Sequence, residues 1–151
     1  MLPCIADIPG FDDRSVWGYD EPTNELYIQL YKNDSDDEEP NFWIMQSIDN
    51  IELFFMSISN VTGISVSDVY LTLAEFIPDM YGSLSNIFAN YIQEEINFFP
   101  EDTKTKYITR HDAKFYEKCA NLSNVIISNK AREALMLLQS AHNLELSANY
   151  K

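Results

Sequence analysis

The chain has 151 residues, of which 46% are hydrophobic and 13% aromatic; that is enough to bury a core and too apolar for global disorder. Its 24 acidic side chains stand against 10 Lys and Arg, a formal charge of −14 and a pI near 4.3. That balance argues against direct nucleic-acid binding, which needs a basic face, and against docking on anionic lipid, and no apolar run approaches the ~20 residues of a membrane span.

In chain order, residues 1–8 lack a positive stretch and contain Pro3 and Asp7, so no secretory leader is expected. Ser15–Asp20 is short and rich in β-formers. Glu21-Pro22-Thr23-Asn24 is a turn signal. Glu25–Lys32 alternates cleanly, with Leu26, Ile28 and Leu30 on one face and Tyr27, Gln29 and Tyr31 on the other. Asn41–Gln46 follows as a third strand. The expectation is a small antiparallel sheet of about three strands over residues 15–46.

From residue 49 the period changes to that of helices. Asp49 with Glu52 resembles a capping box. Ile51, Phe54, Phe55, Ile58 and Val61 form a stripe, and Gly63 is a stop. Ser67 is read as the cap of a second helix bearing Val69, Tyr70, Leu73, Phe76 and Ile77, ended by Pro78. A third helix covers residues 83–98, with Leu84, Ile87, Phe88, Tyr91 and Ile92 inward and Pro100 beyond it. Residues 104–110 read as a linker or short strand. A fourth helix opens within Thr109–Asp112, with Phe115, Cys119 and Leu122 inward. A fifth, capped by Ser128, turns Leu135, Leu138 and Ala141 inward. The tail, residues 143–151, frays or adds a strand. The fold class is therefore α+β in a single domain: an N-terminal antiparallel sheet packed against a C-terminal helical layer over residues 49–142.

The chain offers little for catalysis. His111 and His142 are 31 residues apart, and the two cysteines, Cys4 and Cys119, form no CxxC. Zinc spacings therefore fail. His111 reads as a surface residue at a helix start and His142 as a residue of a last helical turn. On one helix, His111 and Cys119 would lie roughly 12 Å apart, too far to pair. Glu94 and Glu95, adjacent on a helix, point ~100° apart and do not converge. No G-x-S-x-G elbow or Gly-rich phosphate loop occurs. The expectations are no enzyme, no cofactor and no metal site. The three N-x-[ST] sequons, at Asn33, Asn60 and Asn121, read as chance, and a cytoplasmic location is the default.

Charge layout is the strongest signal. Residues 1–102 hold 20 of the 24 acids and only two bases, Arg14 and Lys32. Asp34, Asp36, Asp37, Glu38 and Glu39 crowd into six positions and repel each other into a loop. Asp34 and Asp36 are spaced like the first EF-hand ligands, but Glu39 stands where the turn glycine is needed and Met45 where the bidentate Glu is needed. Phe42 and Trp43 follow the loop, and Tyr19 and Tyr31 lie on or beside the neighbouring strands. Carboxylates that steer, bordering aromatics that anchor, suit a basic protein surface. The expected function is an acidic inhibitor or immunity-type protein that occludes a basic partner such as a nuclease toxin. Its partner-binding residues would be Asp34, Asp36, Asp37, Glu38, Glu39, Phe42, Trp43, Tyr19 and Tyr31. The alternatives are a DNA-mimic inhibitor of a phage or mobile element, and a non-catalytic structural or adaptor domain. Self-repulsion favours a monomer when free.

Overall fold

The computed structural model describes residues 2–99 and 111–149, the last nine of these by backbone alone. Residues 104–110 and Thr109, read above as a linker and a helix opening, lie outside the described residues, as does the side chain of His142. Contacts cluster into two compact units, residues 1–84 and 85–151.

The first unit carries an antiparallel sheet of four strands, β1 (Cys4–Ile5), β2 (Val16–Asp20), β3 (Glu25–Leu30) and β4 (Phe42–Ser47), in the order β1-β2-β3-β4. The chain is α+β as expected, with four strands rather than about three. The added strand, β1, has two residues, too few to show alternation. It is held by pairing of Cys4 with Trp17 and Ile5 with Val16, and by the Trp17 indole N–H, which donates to the Ile5 carbonyl at 3.1 Å. The period-two reading of β3 is met: Leu26, Ile28 and Leu30 are fully buried. Register opposes Trp17 and Ile44 to Ile28, and Phe42 to Leu30, so these belong to the same, inner face.

A 3-10 turn (Ile48–Asn50) leads into α1 (Ile51–Thr62). The capping box expected at Asp49 does not form: Ser47 Oγ, two residues earlier, accepts from the Asp49 N–H at 3.2 Å and caps the 3-10 turn. α1 buries Ile51, Phe54, Phe55 and Ile58 and packs against β4. It stops where read, because Gly63 adopts φ 79°, a left-handed cap that other residues rarely take. α2 (Val66–Ala74) packs on α1, with the Tyr70 ring edge-on to Phe55 at 5.5 Å. Its cap is Ser65 rather than Ser67, since Ser65 is extended and its side chain accepts from the Asp68 N–H. The core of this unit is thus one sheet face with α1 packed on it and α2 packed on α1, each buried Leu, Ile or Phe contributing roughly 1.5–3 kcal/mol of transfer free energy.

The unit boundary falls in the first turn of α3 (Gly82–Asn97); the second unit continues with α4 (Ala113–Ala120) and α5 (Val125–Asn149). Asp112 caps α4 by accepting from the Phe115 N–H. Asn124, not Ser128, caps α5: its carboxamide oxygen accepts from the Ile127 N–H at 3.1 Å while its N–H donates to Ser85 Oγ at 2.8 Å. α5 buries Ile127, Ala131 and Ala134, leaving Leu135 and Leu138 half-buried; small residues permit the close α4–α5 packing. α5 extends through Asn149, past the point where a tail was expected. His111 is also corrected. It is buried, stacked on Phe115 at 4.0 Å and hydrogen-bonded through Nε2 to the Tyr91 hydroxyl at 2.7 Å. A helix-entry position reads as surface by default; only the aromatic packing around it takes it inside. Cys4 and Cys119 are free and buried, and burial pushes their thiols up to about 11 and about 12, far from the thiolate form. No helix among the described residues is long and apolar enough to cross a membrane.

Candidate functional site: the outer face of the sheet

Register decides what the uncovered face presents. Gly18 pairs with Tyr27, Tyr27 with Met45, and Gln29 with Trp43. These residues alternate with the buried ones, so they stand on the side away from α1. Trp43 is 62% exposed and Met45 45%, an unusual exposure for the anchor-type side chains that bury most area on binding.

The same face is concave. A pocket of about 450 Å³ is lined by Tyr19, Asp20, Glu21, Pro22, Tyr27, Gln29, Trp43 and Met45. Gly18 explains part of its shape. A Cβ at that position would meet the Tyr27 hydroxyl at 2.9 Å, so only glycine lets the phenol lie down over β2. The β2–β3 loop forms the wall. Asn24 sits at φ 58°, which Asn tolerates better than most residues. The Thr23 hydroxyl donates to Asp20 Oδ2 at 2.8 Å, and the Tyr19 hydroxyl donates to Asn24 Oδ1. Burial raises the Tyr27 phenol above its ordinary pKa, and the negative charge of Asp20 adds to it. It therefore stays protonated through neutral pH.

The nine residues expected to meet a partner do not form one patch. Trp43 lines the pocket from the outer face; Tyr19 borders it at the end of β2, although its register partner is Leu26 of the inner face. Phe42 belongs to the inner face and packs edge-on against Phe11 at 6.0 Å; adjacent strand residues point to opposite faces, so Phe42 and Trp43 cannot act together. Tyr31 lies under the Arg14 guanidinium, 4.4 Å from its ring centroid. Asp34, Asp36, Asp37, Glu38 and Glu39 are exposed in the β3–β4 loop, at the opposite end of β3 from Asp20, Glu21 and Glu25. β3 has six residues, so the two acidic groups stand roughly 20 Å apart along the strand, with the aromatic face between them. Tyr27, Gln29, Met45, Asp20, Glu21 and Pro22 are pocket residues outside the expected set. The alternation of β3 carries the signal for Tyr27 and Gln29; no local pattern marks the others.

The acidic loop is not a free, solvated strand of chain. Arg14 pins it by donating to the carbonyls of Ser35 and Asp37, each at 3.0 Å, while holding the Asp12 carboxylate with Nε and Nη2. The Asp37 carboxylate accepts from Ser35 Oγ and Asn41 Nδ2. The other base of this half, Lys32, sits 5.4 Å above the Phe42 ring. Replacing Arg14 with Ala is expected to speed amide exchange at Ser35 and Asp37 while barely moving the unfolding midpoint, since the pair is surface-exposed. Hydrogen exchange read by NMR checks it; unchanged exchange would show that the loop holds itself. Arg14 hydrogen bonding holds the Asp12 carboxyl below its ordinary value. A depressed carboxyl contributes above its unfolded pKa and stops contributing as pH falls through the lowered one, so acid should release the same amides.

Among the described residues no group of three or more His, Cys, Asp or Glu could hold a metal ion. Glu94 is exposed and Glu95 buried, so the adjacent pair diverges. Comparison with protein-family models, curated proteins and solved structures yields no match for this chain.

Proposed function

We propose that this chain is an acidic, immunity-type inhibitor that docks the outer face of its sheet onto a basic protein, a nuclease toxin being the type of partner that fits, and occludes a phosphate-binding cleft. The observation that carries the reading is an outer face with Trp43 and Met45 exposed on its edge strand β4, beside Tyr27 of β3, and carboxylates at both ends of the strands. An apolar centre within a charged rim is the anatomy of a protein–protein interface. The arrangement favours a protein partner over a DNA-mimic mode, in which acids would run in rows across the face rather than leave its middle to Tyr27, Trp43 and Met45. Steering comes from the unopposed field of the acidic half, and the chain acts free of cofactor, in the cytoplasm, as a monomer until it meets its partner.

The test begins with the protein's native complex. The co-purifying partner is separated, and its association with the free chain is followed by stopped flow at two salt concentrations. The partner should be basic, and its nuclease activity should fall when the chain is added back. The variant D36N/D37N/E38Q/E39Q should associate more slowly and with a flatter salt dependence, because exposed charges act over ~8 Å at physiological ionic strength. The bonds from Arg14 to the Ser35 and Asp37 backbone carbonyls do not depend on these side chains, and the carboxamide oxygen introduced by D37N can still accept from Ser35 and Asn41. A neutral or acidic partner, or an association rate indifferent to these charges, overturns the reading.

A further inference from the structure

We propose that the outer-face pocket receives one cationic side chain, an arginine, from that basic partner. The inference rests on the docking reading for the source of the cation, but not for the chemistry of the pocket. Tyr27 and Trp43 contribute ring surface, and Asp20, Glu21 and the side-chain carbonyl of Gln29 contribute acceptors. A ring face attracts a cation through its quadrupole, and carboxylates beside it raise that preference. No lining residue is basic, so an anion finds no partner, and an apolar group would strand the acceptors.

Among the described residues no Lys or Arg pairs with Asp20 or Glu21. The two bases of residues 1–102 are engaged elsewhere, Arg14 on Asp12 and the acidic loop, Lys32 over Phe42. The Thr23 hydroxyl bonds to one Asp20 carboxylate oxygen, Oδ2, and the Glu21 carboxylate accepts a long bond from the Ser83 hydroxyl, at 3.4 Å. Arginine fits better than lysine. Its planar fork of five donors can lie on a ring while its edge bonds to carboxylates, and it is the more weakly hydrated cation. The volume, about 450 Å³, admits a guanidinium and its stem with solvent to spare.

The probe is Nα-acetyl-L-arginine amide, titrated into the free chain and followed by Trp43 fluorescence and by amide shifts. Its control is the citrulline analogue, which has nearly the same shape and no charge. Saturable binding is expected, with shifts confined to residues 18–29 and 43–45. The citrulline analogue should bind at least about tenfold more weakly, and the lysine analogue should fall between the two. Glu21→Gln should weaken arginine amide severalfold. Gly18→Ala should do the same without changing the far-UV spectrum, because the new methyl forces the Tyr27 hydroxyl off β2. Absence of saturation, equal binding of the citrulline analogue, or shifts centred on residues 34–39 would each overturn the assignment. If arginine amide fails to bind while Trp43→Ala still releases a basic partner, the pocket assignment falls and the docking reading stands. If arginine amide saturates the pocket but the native partner is not basic, the pocket stands and the docking reading falls.

Discussion

Cutting Trp17 to Ala is expected to cost the first unit about 3–5 kcal/mol, the range for truncating a large aromatic in a core. Trp17 is fully buried, pairs with Cys4 on one side and Ile28 on the other, and its indole N–H closes onto the Ile5 carbonyl. Truncation therefore removes core volume and the bond that fastens β1 to the sheet. β1 has two residues, too few to stay paired through backbone bonds alone, so its loss is expected to accompany the change. Trp17→Phe separates the two effects. It retains most of the volume and removes the N–H, which should cost about 1 kcal/mol and raise exchange at the amides of residues 4–6. Urea unfolding followed by far-UV circular dichroism reads both variants. A shift within about 0.5 kcal/mol for Trp17→Ala, the level of an ordinary surface change, would show that this core does not depend on its largest side chain.

Trp43 should behave in the opposite way. With 62% of its surface open, truncation to Ala should leave the unfolding midpoint within about 0.5 kcal/mol of the parent. It should nevertheless speed dissociation of the basic partner by an amount worth about 2 kcal/mol or more, since a tryptophan at an interface centre buries a large area at small entropic cost. Association should hardly change, because steering belongs to the carboxylates. The chain has two tryptophans, so Trp43→Ala leaves buried Trp17 as the one tryptophan, and its emission on selective excitation gives an internal check that the core is intact. Phe42→Ala supplies the contrast. Phe42 packs on Phe11 on the covered face, so its loss should lower the midpoint and leave dissociation alone. Matching effects of the two truncations on dissociation would place the interface elsewhere.

Phe42 and Trp43 are adjacent, and local order alone does not assign them to a face. Alternation says that the two point to opposite faces, but not which face is covered, because both are aromatic. Pairing decides it: Leu30 opposite Phe42 and Gln29 opposite Trp43 set the face that α1 covers. Tyr19 and Tyr31 show the same limit. Both look like patch aromatics, yet one hydroxyl is bonded to Asn24 in the hairpin and the other ring lies beneath Arg14. The pocket is gathered from β2, β3, β4 and the loop that closes the hairpin, and its shape depends on the absence of a side chain at Gly18. Neither has a local pattern.

What the amino-acid order determined by itself is whatever rests on interactions a few residues long. The two-residue period of β3, the helical stripe of α1, the stop at Gly63 and the α+β division near residue 49 are all of this kind, since backbone geometry and burial of one face act within a single element. The acidity of residues 1–102 is equally plain in composition. Tertiary structure decided everything that depends on distant partners. Arg14 reaches 21 and 23 residues along the chain to pin the acidic loop. β1 exists because Trp17 holds it, and His111 is inside because Tyr91 and Phe115 receive it. Each of these contacts forms only after the chain has closed on itself, so the residues that make it carry no sign of it in their immediate neighbours.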